Sequence, residues 1–173
     1  DKPQLRVMNH LDGTGMSETR NVLTESARIA RGNVKPLVQY DPGQFDGLVF
    51  PGGFGAATNL CDFAVKGADM TVDAQVADAV AATRKAGKPL AAMCIAPVIL
   101  GKLIEGVKVT VGHDKDTDEA LRRMGAEPQD VFGPEVVHDA RNNVFTTPCY
   151  MLPDATLATV AACCRKLVAE MLK

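Results

Sequence analysis

The chain has 173 residues, of which 46% are hydrophobic and 23% are charged, and its formal net charge is −2. This length is enough to bury the core of one ordinary domain and too short for two. Lysine and arginine are interspersed with acidic residues, so no broad basic field exists for phosphates and we expect no nucleic-acid partner. No apolar run reaches the roughly 18 residues of a membrane span, so we expect no membrane partner.

The cysteine pattern favours a reducing, intracellular compartment. The five cysteines are odd in number and contain no C-x-x-C pair. They are Cys61, Cys94, Cys149, Cys163 and Cys164. Cys163 and Cys164 are adjacent in a helical pattern, where side chains point about 100° apart, so we expect ordinary helix residues rather than metal ligands.

The beginning of the chain shows no strand pattern. The first residue is an aspartate, and residues 9–15 already form a turn-rich loop. We therefore expect one domain over residues 1–173 that is N-terminally incomplete and lacks its first strand-helix unit. Ser17 can cap a helix over residues 17–31 that Gly32 ends, and residues 37–40 form a short strand at best.

Strands and helices then alternate along the chain. Apolar, glycine-bounded runs predict strands at residues 46–50, 89–93 and 107–111, and helical patterns cover residues 73–86, 95–104 and 117–124. This order favours a parallel α/β sandwich.

The C-terminal part adds a hairpin and a last helix. Strands at residues 136–138 and 144–147 flank Asn142 and Asn143, a pair that tolerates the positive φ angles of a tight turn. The last helix should pack on the sheet through one apolar stripe with a 3.6-residue period. Its predicted members are Leu157, Val160, Ala161, Cys164, Leu167, Val168, Met171 and Leu172.

Cys94 stands where the predicted strand 89–93 passes into the next helix. Small residues at Ala92 and Ala96 leave room for a sharp strand-to-helix turn of the nucleophile-elbow kind. The carboxyl ends of strands are where open α/β sheets form their sites, and the start of a helix favours a thiolate. The alternative is that Cys94 is a small buried hydrophobe.

A second loop is expected to approach Cys94. Gly52 and Gly53 end the strand 46–50, and their backbone N–H groups could bind an oxyanion, with Gly53 permitting the close backbone approach. The alternative is a tight turn without chemistry.

The three histidines are weaker candidates. His113 follows the strand 107–111 and could approach the strand-end edge, although a structural role is favoured for it. His138 lies in the hairpin and His10 in the entry loop. No two histidines or carboxylates have metal-ligand spacing, so we expect no metal.

These motifs resemble a known superfamily. The run at residues 50–57, PGGFGAA after Phe50, and the run MCIAP at residues 93–97 are similar to the class I glutamine amidotransferase-like superfamily, which includes PfpI-type proteins. The segments at residues 9–11, 18–29 and 146–148 resemble the narrower ElbB family, named for enhancing lycopene biosynthesis and including mitochondrial homologues. The resemblance covers nearly the whole chain.

The resemblance implies a flavodoxin-like three-layer sandwich, usually a homodimer, located in the mitochondrial matrix or the bacterial cytoplasm. It implies Cys94 as nucleophile, backbone oxyanion donors at Gly53 and Ile95, and no cofactor. Bacterial ElbB-type members are associated with a cofactor-independent glyoxalase activity that converts glyoxal and water into glycolate, so the expected substrate is a small aldehyde.

The chain departs from the superfamily's active-site pattern at two points, and this limits the activities that the resemblance implies. Amidotransferases and PfpI-type proteases keep a histidine close to the nucleophile, and in PfpI it is the next residue, where this chain has Ile95. Glutaminase or protease activity is therefore not expected. Superfamily members also place a glutamate beside the thiol. That glutamate belongs to the first strand-helix unit, which this chain is expected to lack. The alternatives to a weak glyoxalase-type enzyme are a redox or stress sensor with an oxidisable Cys94, and a degenerate amidotransferase-like protein acting with a partner.

Overall fold

The structure is a computed structural model that describes all residues 1–173. The chain divides into two compact units, residues 1–40 and residues 41–173. None of the helices combines the length and the apolar character that a membrane crossing requires.

The first unit contains one regular helix, α1 (Val22–Ala30). The side chain of Asn21 caps it by accepting a hydrogen bond from the Thr24 N–H at 3.0 Å. The helix ends at Arg31, which has a left-handed φ of 55°. The prediction of a helix over residues 17–31 is correct in type but wrong at its start, because Asn21 rather than Ser17 satisfies the free N–H groups of the first turn.

Residues 37–40 do not form the short strand that was expected. Leu37–Gln39 is a single 3-10 turn, in which the Gln39 N–H donates to Pro36 O and the Tyr40 N–H donates to Leu37 O, both at 2.9 Å. Short apolar runs carry no period that separates a turn from a strand. Here local i to i+3 bonds replace the pairing that a strand would need.

The second unit alternates strands and helices as predicted. Its strands are β1 (Leu48–Phe50), β2 (Leu90–Met93), β3 (Lys108–Val109), β4 (Glu127–Pro128), β5 (Val137–Asp139) and β6 (Val144–Thr147). Its α-helices are α2 (Phe63–Lys66), α3 (Ala74–Lys85), α4 (Pro97–Leu103), α5 (Lys115–Arg123) and α6 (Leu157–Met171). Short 3-10 turns at Pro42–Gln44, Gly67–Asp69 and Cys149–Met151 and a π-helical turn at Ala56–Leu60 complete it.

Four strands form a mostly parallel sheet in the order β1-β2-β6-β5. β1 pairs with β2 and β2 pairs with β6 in parallel, whereas β5 pairs with β6 in antiparallel. The turn between β5 and β6 contains Asn143 at a φ of 53°, a left-handed angle that asparagine tolerates. The predicted flavodoxin-like α/β architecture with an added hairpin is confirmed.

A second, two-stranded parallel sheet pairs β3 with β4. The sequence predicted a strand over residues 107–111, of which only Lys108 and Val109 enter the ladder, and it did not predict β4. A two-residue strand that contains a proline has no period-2 pattern for sequence analysis to detect. Its pairing depends on a neighbour 19 residues away, since Lys108 lies opposite Glu127.

Two buried side chains join β3 to the hairpin. The Lys108 N–H donates to Asp139 Oδ2 at 2.9 Å, and the Thr110 N–H donates to Thr146 Oγ1 at 2.9 Å. Asp139 also accepts from the N–H groups of Arg141 and Asn142. Burial by itself raises the pKa of the Asp139 carboxyl, but these hydrogen bonds outweigh it and hold the pKa below its ordinary value.

Helix α6 packs on the core through part of the predicted stripe, Val160, Cys164, Leu167 and Met171, together with Cys163, which the prediction left out. Cys163 and Leu167 are buried against a cluster that includes Met93 and Phe145, whereas Leu157 is 80% exposed. The predicted 3.6-residue period of apolar residues is correct, but the packed face is centred on Cys163. The hydrophobic pattern does not determine how α6 is rotated about its own axis, because cysteine, alanine and valine occupy most of the helix surface.

We predict that Asp139→Asn lowers the free energy of unfolding by about 2 to 3 kcal/mol at neutral pH, because an amide nitrogen cannot accept from the backbone donors that the lost oxygen served. Urea denaturation followed by circular dichroism measures this. Since the folded pKa of Asp139 is lowered, its stabilising contribution is present above the ordinary carboxyl pKa and is lost as the pH falls through the folded value.

The matched control is Asp154→Asn, which changes an exposed aspartate and should leave stability unchanged. Equal stability of Asp139→Asn and the wild-type chain at pH 7 would contradict the assigned role of Asp139.

Candidate functional site

Cys94 occupies the joint between β2 and α4 in a strained backbone conformation. Its φ is 58°, in the left-handed region that a residue with a Cβ rarely adopts. The preceding four residues form the fully buried strand β2, and Pro97 begins α4 three residues later. The thiol is half-buried, so this turn presents a sulfur at the carboxyl edge of the sheet.

Hydrogen bonds on both sides of Cys94 hold the turn. The Cys94 N–H donates to Thr147 O at 3.1 Å, and the Ala96 N–H closes the turn by donating to Met93 O at 3.0 Å. Thr147 pairs with Met93 in the β2–β6 ladder, and its own hydroxyl donates to Glu135 O at 2.8 Å. The elbow is therefore anchored to the end of β6 as well as to its own strand.

Gly52 brings the loop after β1 into contact with the elbow. Its φ is 90°, and a Cβ placed on it would lie 2.6 Å from Met93 O and 2.8 Å from Cys94 Cβ. Gly53, with a φ of 84°, has open space where its Cβ would lie. Sequence analysis assigned a close backbone approach to Gly53, and the structure shows that Gly52 also packs tightly against the elbow. The approach comes at Gly52 because β1 and β2 are adjacent in register, with Phe50 opposite Ala92.

The N–H groups of Gly53 and Ile95 donate to no acceptor within the chain. Gly53 O accepts from Ala56, and Ile95 O accepts from Val98, so only the N–H groups remain for another partner. Ile95 directly follows Cys94, and Gly53 directly follows the residue that touches the Cys94 side chain. The structure thus brings together the three main residues predicted for the site, while their catalytic roles remain predictions.

His113 lies close to the segment that follows β6. A Cβ on the preceding residue, Gly112, would lie 3.4 Å from both Pro148 Cβ and Met151 O, in the segment that follows β6. The ring of His113 stacks on exposed Phe132 with centroids 4.7 Å apart. Its Nδ1 lies 3.4 Å from Val131 O. His113 is therefore positioned by the 129–135 loop rather than by Cys94.

The other two histidines have different surroundings. His138 is exposed on β5 and stacks on Phe145, with ring centroids 4.1 Å apart and nearly parallel planes. His10 is exposed in the turn of the first unit that follows Asn9.

The remaining thiols differ from Cys94 in burial. Cys61, Cys149 and Cys163 are buried, and Cys164 is half-buried with its Sγ 3.7 Å from Met93 Sδ. Burial, followed by the nearby thiols of Cys163 and Cys164, raises the pKa of Cys149 far above its ordinary value. Among the thiols that are not fully buried, only Cys94 lies at the end of a parallel strand.

One residue of this site was missed by sequence analysis. Thr147 anchors the elbow through its carbonyl oxygen. Thr147 ends a predicted strand, which is the only sequence signal it gives. Its hydrogen bond with Cys94 could not be predicted, because the pairing of β2 with β6 joins segments that are more than 50 residues apart in the sequence.

Comparison with known proteins places the chain in a family. No protein-family model matches it. The human mitochondrial glutamine amidotransferase-like class 1 domain-containing protein 3 is 42% identical over 165 residues, which cover 90% of this chain and 62% of that protein. The chain spans about three fifths of the length of the curated relatives it matches.

Solved structures agree with this similarity. The crystal structure of an isoprenoid biosynthesis protein with an amidotransferase-like domain from Ehrlichia chaffeensis superposes with a TM-score of 0.88 at 32% identity, covering 99% of this chain and 79% of that one. Drosophila melanogaster DJ-1beta shares the fold, with a TM-score of 0.52 at 22% identity over 79% of this chain and 62% of its own. The chain therefore belongs to the ElbB-like family of glutamine amidotransferase-like class I domains, as its motifs predicted.

Proposed function

We propose that the chain carries out a cofactor-independent, glyoxalase-type conversion of small reactive aldehydes, with glyoxal and water giving glycolate. The observation that carries this proposal is the left-handed Cys94 thiol at the end of β2, next to two unengaged backbone N–H groups at Gly53 and Ile95. A half-exposed thiol beside two oxyanion donors suits addition to a carbonyl.

The proposed reaction balances without an outside oxidant. The Cys94 thiolate adds to one aldehyde carbon of glyoxal, and the resulting oxyanion of the hemithioacetal accepts hydrogen bonds from Gly53 and Ile95. The C–H proton of that carbon then moves to the neighbouring carbon through an enediol, which oxidises the first carbon to a thioester and reduces the second to an alcohol. Water hydrolyses the thioester, releasing glycolate and the free thiol.

The proton transfer needs a base. Ile95 occupies the position where PfpI-type proteins have histidine, so the base comes from elsewhere. His113 follows Gly112, which packs against the segment after β6, and the tautomer in which Nδ1 donates to Val131 O would leave Nε2 as a proton acceptor. We assign it a secondary role, because the 129–135 loop, not Cys94, sets its position.

The alternative function is a redox sensor in which peroxide converts the Cys94 thiol into a sulfenic or sulfinic acid. The same two N–H groups would stabilise the oxidised sulfur, so this alternative rests on the same geometry. Glutamine hydrolysis with a partner protein is disfavoured, because the position after the nucleophile is Ile95. The location proposed for the chain is the mitochondrial matrix or the bacterial cytoplasm, in line with the mitochondrial human relative.

We predict that Cys94→Ser abolishes glycolate formation from glyoxal, with a loss on the order of 10³-fold or more, since the hydroxyl is a far weaker nucleophile than the thiol. Glycolate is measured by chromatography, with no added cofactor. Cys164→Ser, which changes the other half-buried thiol, is the matched control and should keep full activity.

Measurement of glycolate formation distinguishes the glyoxalase-type enzyme from the redox sensor. Mass gain at Cys94 under mild peroxide, without any glycolate from the wild-type chain, would refute the enzyme and favour the sensor. Full activity in Cys94→Ser would refute Cys94 as the nucleophile, and the absence of any mass gain at Cys94 under peroxide would refute the sensor.

Gly52→Ala should destabilise the chain by about 2 kcal/mol more than Gly53→Ala and should lower activity with it. Both substitutions place a Cβ at a positive φ, which costs about 1 to 2 kcal/mol in each case, but only the first forces a Cβ against Met93 O and Cys94 Cβ. Thermal and urea unfolding of the two variants measure the difference. Equal stabilities would mean that Gly52 does not support the elbow.

We also propose that the chain acts as a homodimer, as the family resemblance implies. Multi-angle light scattering should give a mass of twice the 18.4 kDa of the chain. A monomer that persists over a hundredfold range of concentration would contradict this.

A further inference from the structure

Two exposed aromatic rings belong to the segments that border Cys94. The exposed phenylalanine and tyrosine side chains of the structure are Phe45, Phe54, Phe132 and Tyr150. Phe54, 67% exposed, follows the end of β1, and Tyr150, 57% exposed, follows the end of β6. Large apolar rings left in water beside a reactive group are typical of a ligand site. Glyoxal consists of two aldehyde groups only and has no apolar part that these rings could contact.

The segments that carry Phe54 and Tyr150 lie on opposite sides of the thiol. The strand that leads into Cys94, β2, lies between β1 and β6 in the sheet. At the usual spacing of strands, β1 and β6 are about 10 Å apart. A flat group held midway between two rings at this separation lies about 5 Å from each, which is within the range at which aromatic rings stack.

Both rings begin within a short length of backbone from the elbow. Phe54 is two residues beyond Gly52, so their Cα atoms are at most about 8 Å apart, and a Cβ placed on Gly52 would lie 2.8 Å from Cys94 Cβ. Tyr150 is three residues beyond Thr147, whose carbonyl oxygen accepts from the Cys94 N–H at 3.1 Å. The 3-10 turn at Cys149–Met151 shortens the second path further.

The segments that follow β1, β2 and β6 contain no charged side chain. This holds for residues 51–57, 94–98 and 147–152. A carboxylate or phosphate carried by the substrate would lose water here without meeting a cation, which is unfavourable. The substrate that suits this edge is therefore neutral away from its reacting carbonyl.

We propose that the substrates are neutral 2-oxoaldehydes whose ketone carbon carries an aryl or other flat apolar group, held between the rings of Phe54 and Tyr150. This inference rests on the proposed function and specifies its substrate class. The Cys94 thiolate adds to the aldehyde carbon, and the proton of that carbon moves to the ketone carbon through an enediol. The first carbon is thereby oxidised to a thioester and the second reduced to an alcohol, and water releases the 2-hydroxy acid and the free thiol.

The first test compares phenylglyoxal, which gives mandelate, with glyoxal, which gives glycolate. The quantity measured is the ratio of the two kcat/KM values in each variant, because this ratio cancels changes in the thiol and in the folded fraction. Phe54→Ala and Tyr150→Ala should each lower the ratio about threefold to tenfold, as expected for the loss of one aromatic contact. A wild-type ratio in the double variant would overturn the proposal.

Two control variants separate the position and the chemistry of the rings. Phe45→Ala changes an exposed phenylalanine that precedes β1, at the opposite end of that strand, and should keep the wild-type ratio. Tyr150→Phe retains the ring and should also keep the ratio. A decrease in Tyr150→Phe as large as that in Tyr150→Ala would overturn the stacking, because the hydroxyl would then bind the substrate.

The second test does not depend on turnover. Benzamide and acetamide do not react with thiols and differ by a phenyl group, and each is added at the same concentration while iodoacetamide alkylates the wild-type chain. Peptide mapping should show that benzamide slows the labelling of Cys94 more than acetamide does, and the double variant of Phe54→Ala and Tyr150→Ala should abolish the difference. Absence of hydroxy acid from both aldehydes would refute the proposed function, whereas equal protection by the two amides would overturn the aromatic contacts.

Discussion

The left-handed turn at Cys94 is the constraint on which the site depends. A residue with a Cβ holds a φ of 58° only where its surroundings stabilise it, and here a hydrogen bond to Thr147 O and the close packing of Gly52 do so. Both contacts come from neighbouring strands of one parallel sheet. The same turn that strains the backbone directs the sulfur to the strand-end edge and leaves the Ile95 N–H unpaired.

Strand β6 connects this elbow to the rest of the second unit. Through Thr147 it holds Cys94, and through Thr146 it binds the backbone of Thr110, which follows β3. Its hairpin partner β5 contributes Asp139, which binds the backbone of Lys108. Threonine and aspartate side chains replace backbone pairing here, so the two sheets are joined by a few buried polar groups. An apolar residue in place of one of these side chains would leave a buried backbone N–H without an acceptor.

Two buried aspartates show how surroundings decide the behaviour of one residue type. Asp139 faces four N–H donors and keeps a lowered pKa, whereas burial, followed by the charge of Asp130, raises the pKa of Asp118. The first contributes stability that acid removes, and the second contributes stability that base removes. Along the chain, these two groups of opposite pH dependence precede and follow the segment that includes β4.

The sequence by itself determined the alternation of strands and helices, the hairpin at Asn143 and the place of Cys94 at a strand-to-helix joint, because period, glycine stops and turn residues are local signals. Tertiary structure decided the features that need a distant neighbour. The pairing of β3 with β4 and the close approach at Gly52 follow from registers between separated strands. The packed face of α6 and the burial of Asp118 follow from which helix surface meets the core, and side-chain composition leaves that rotation open.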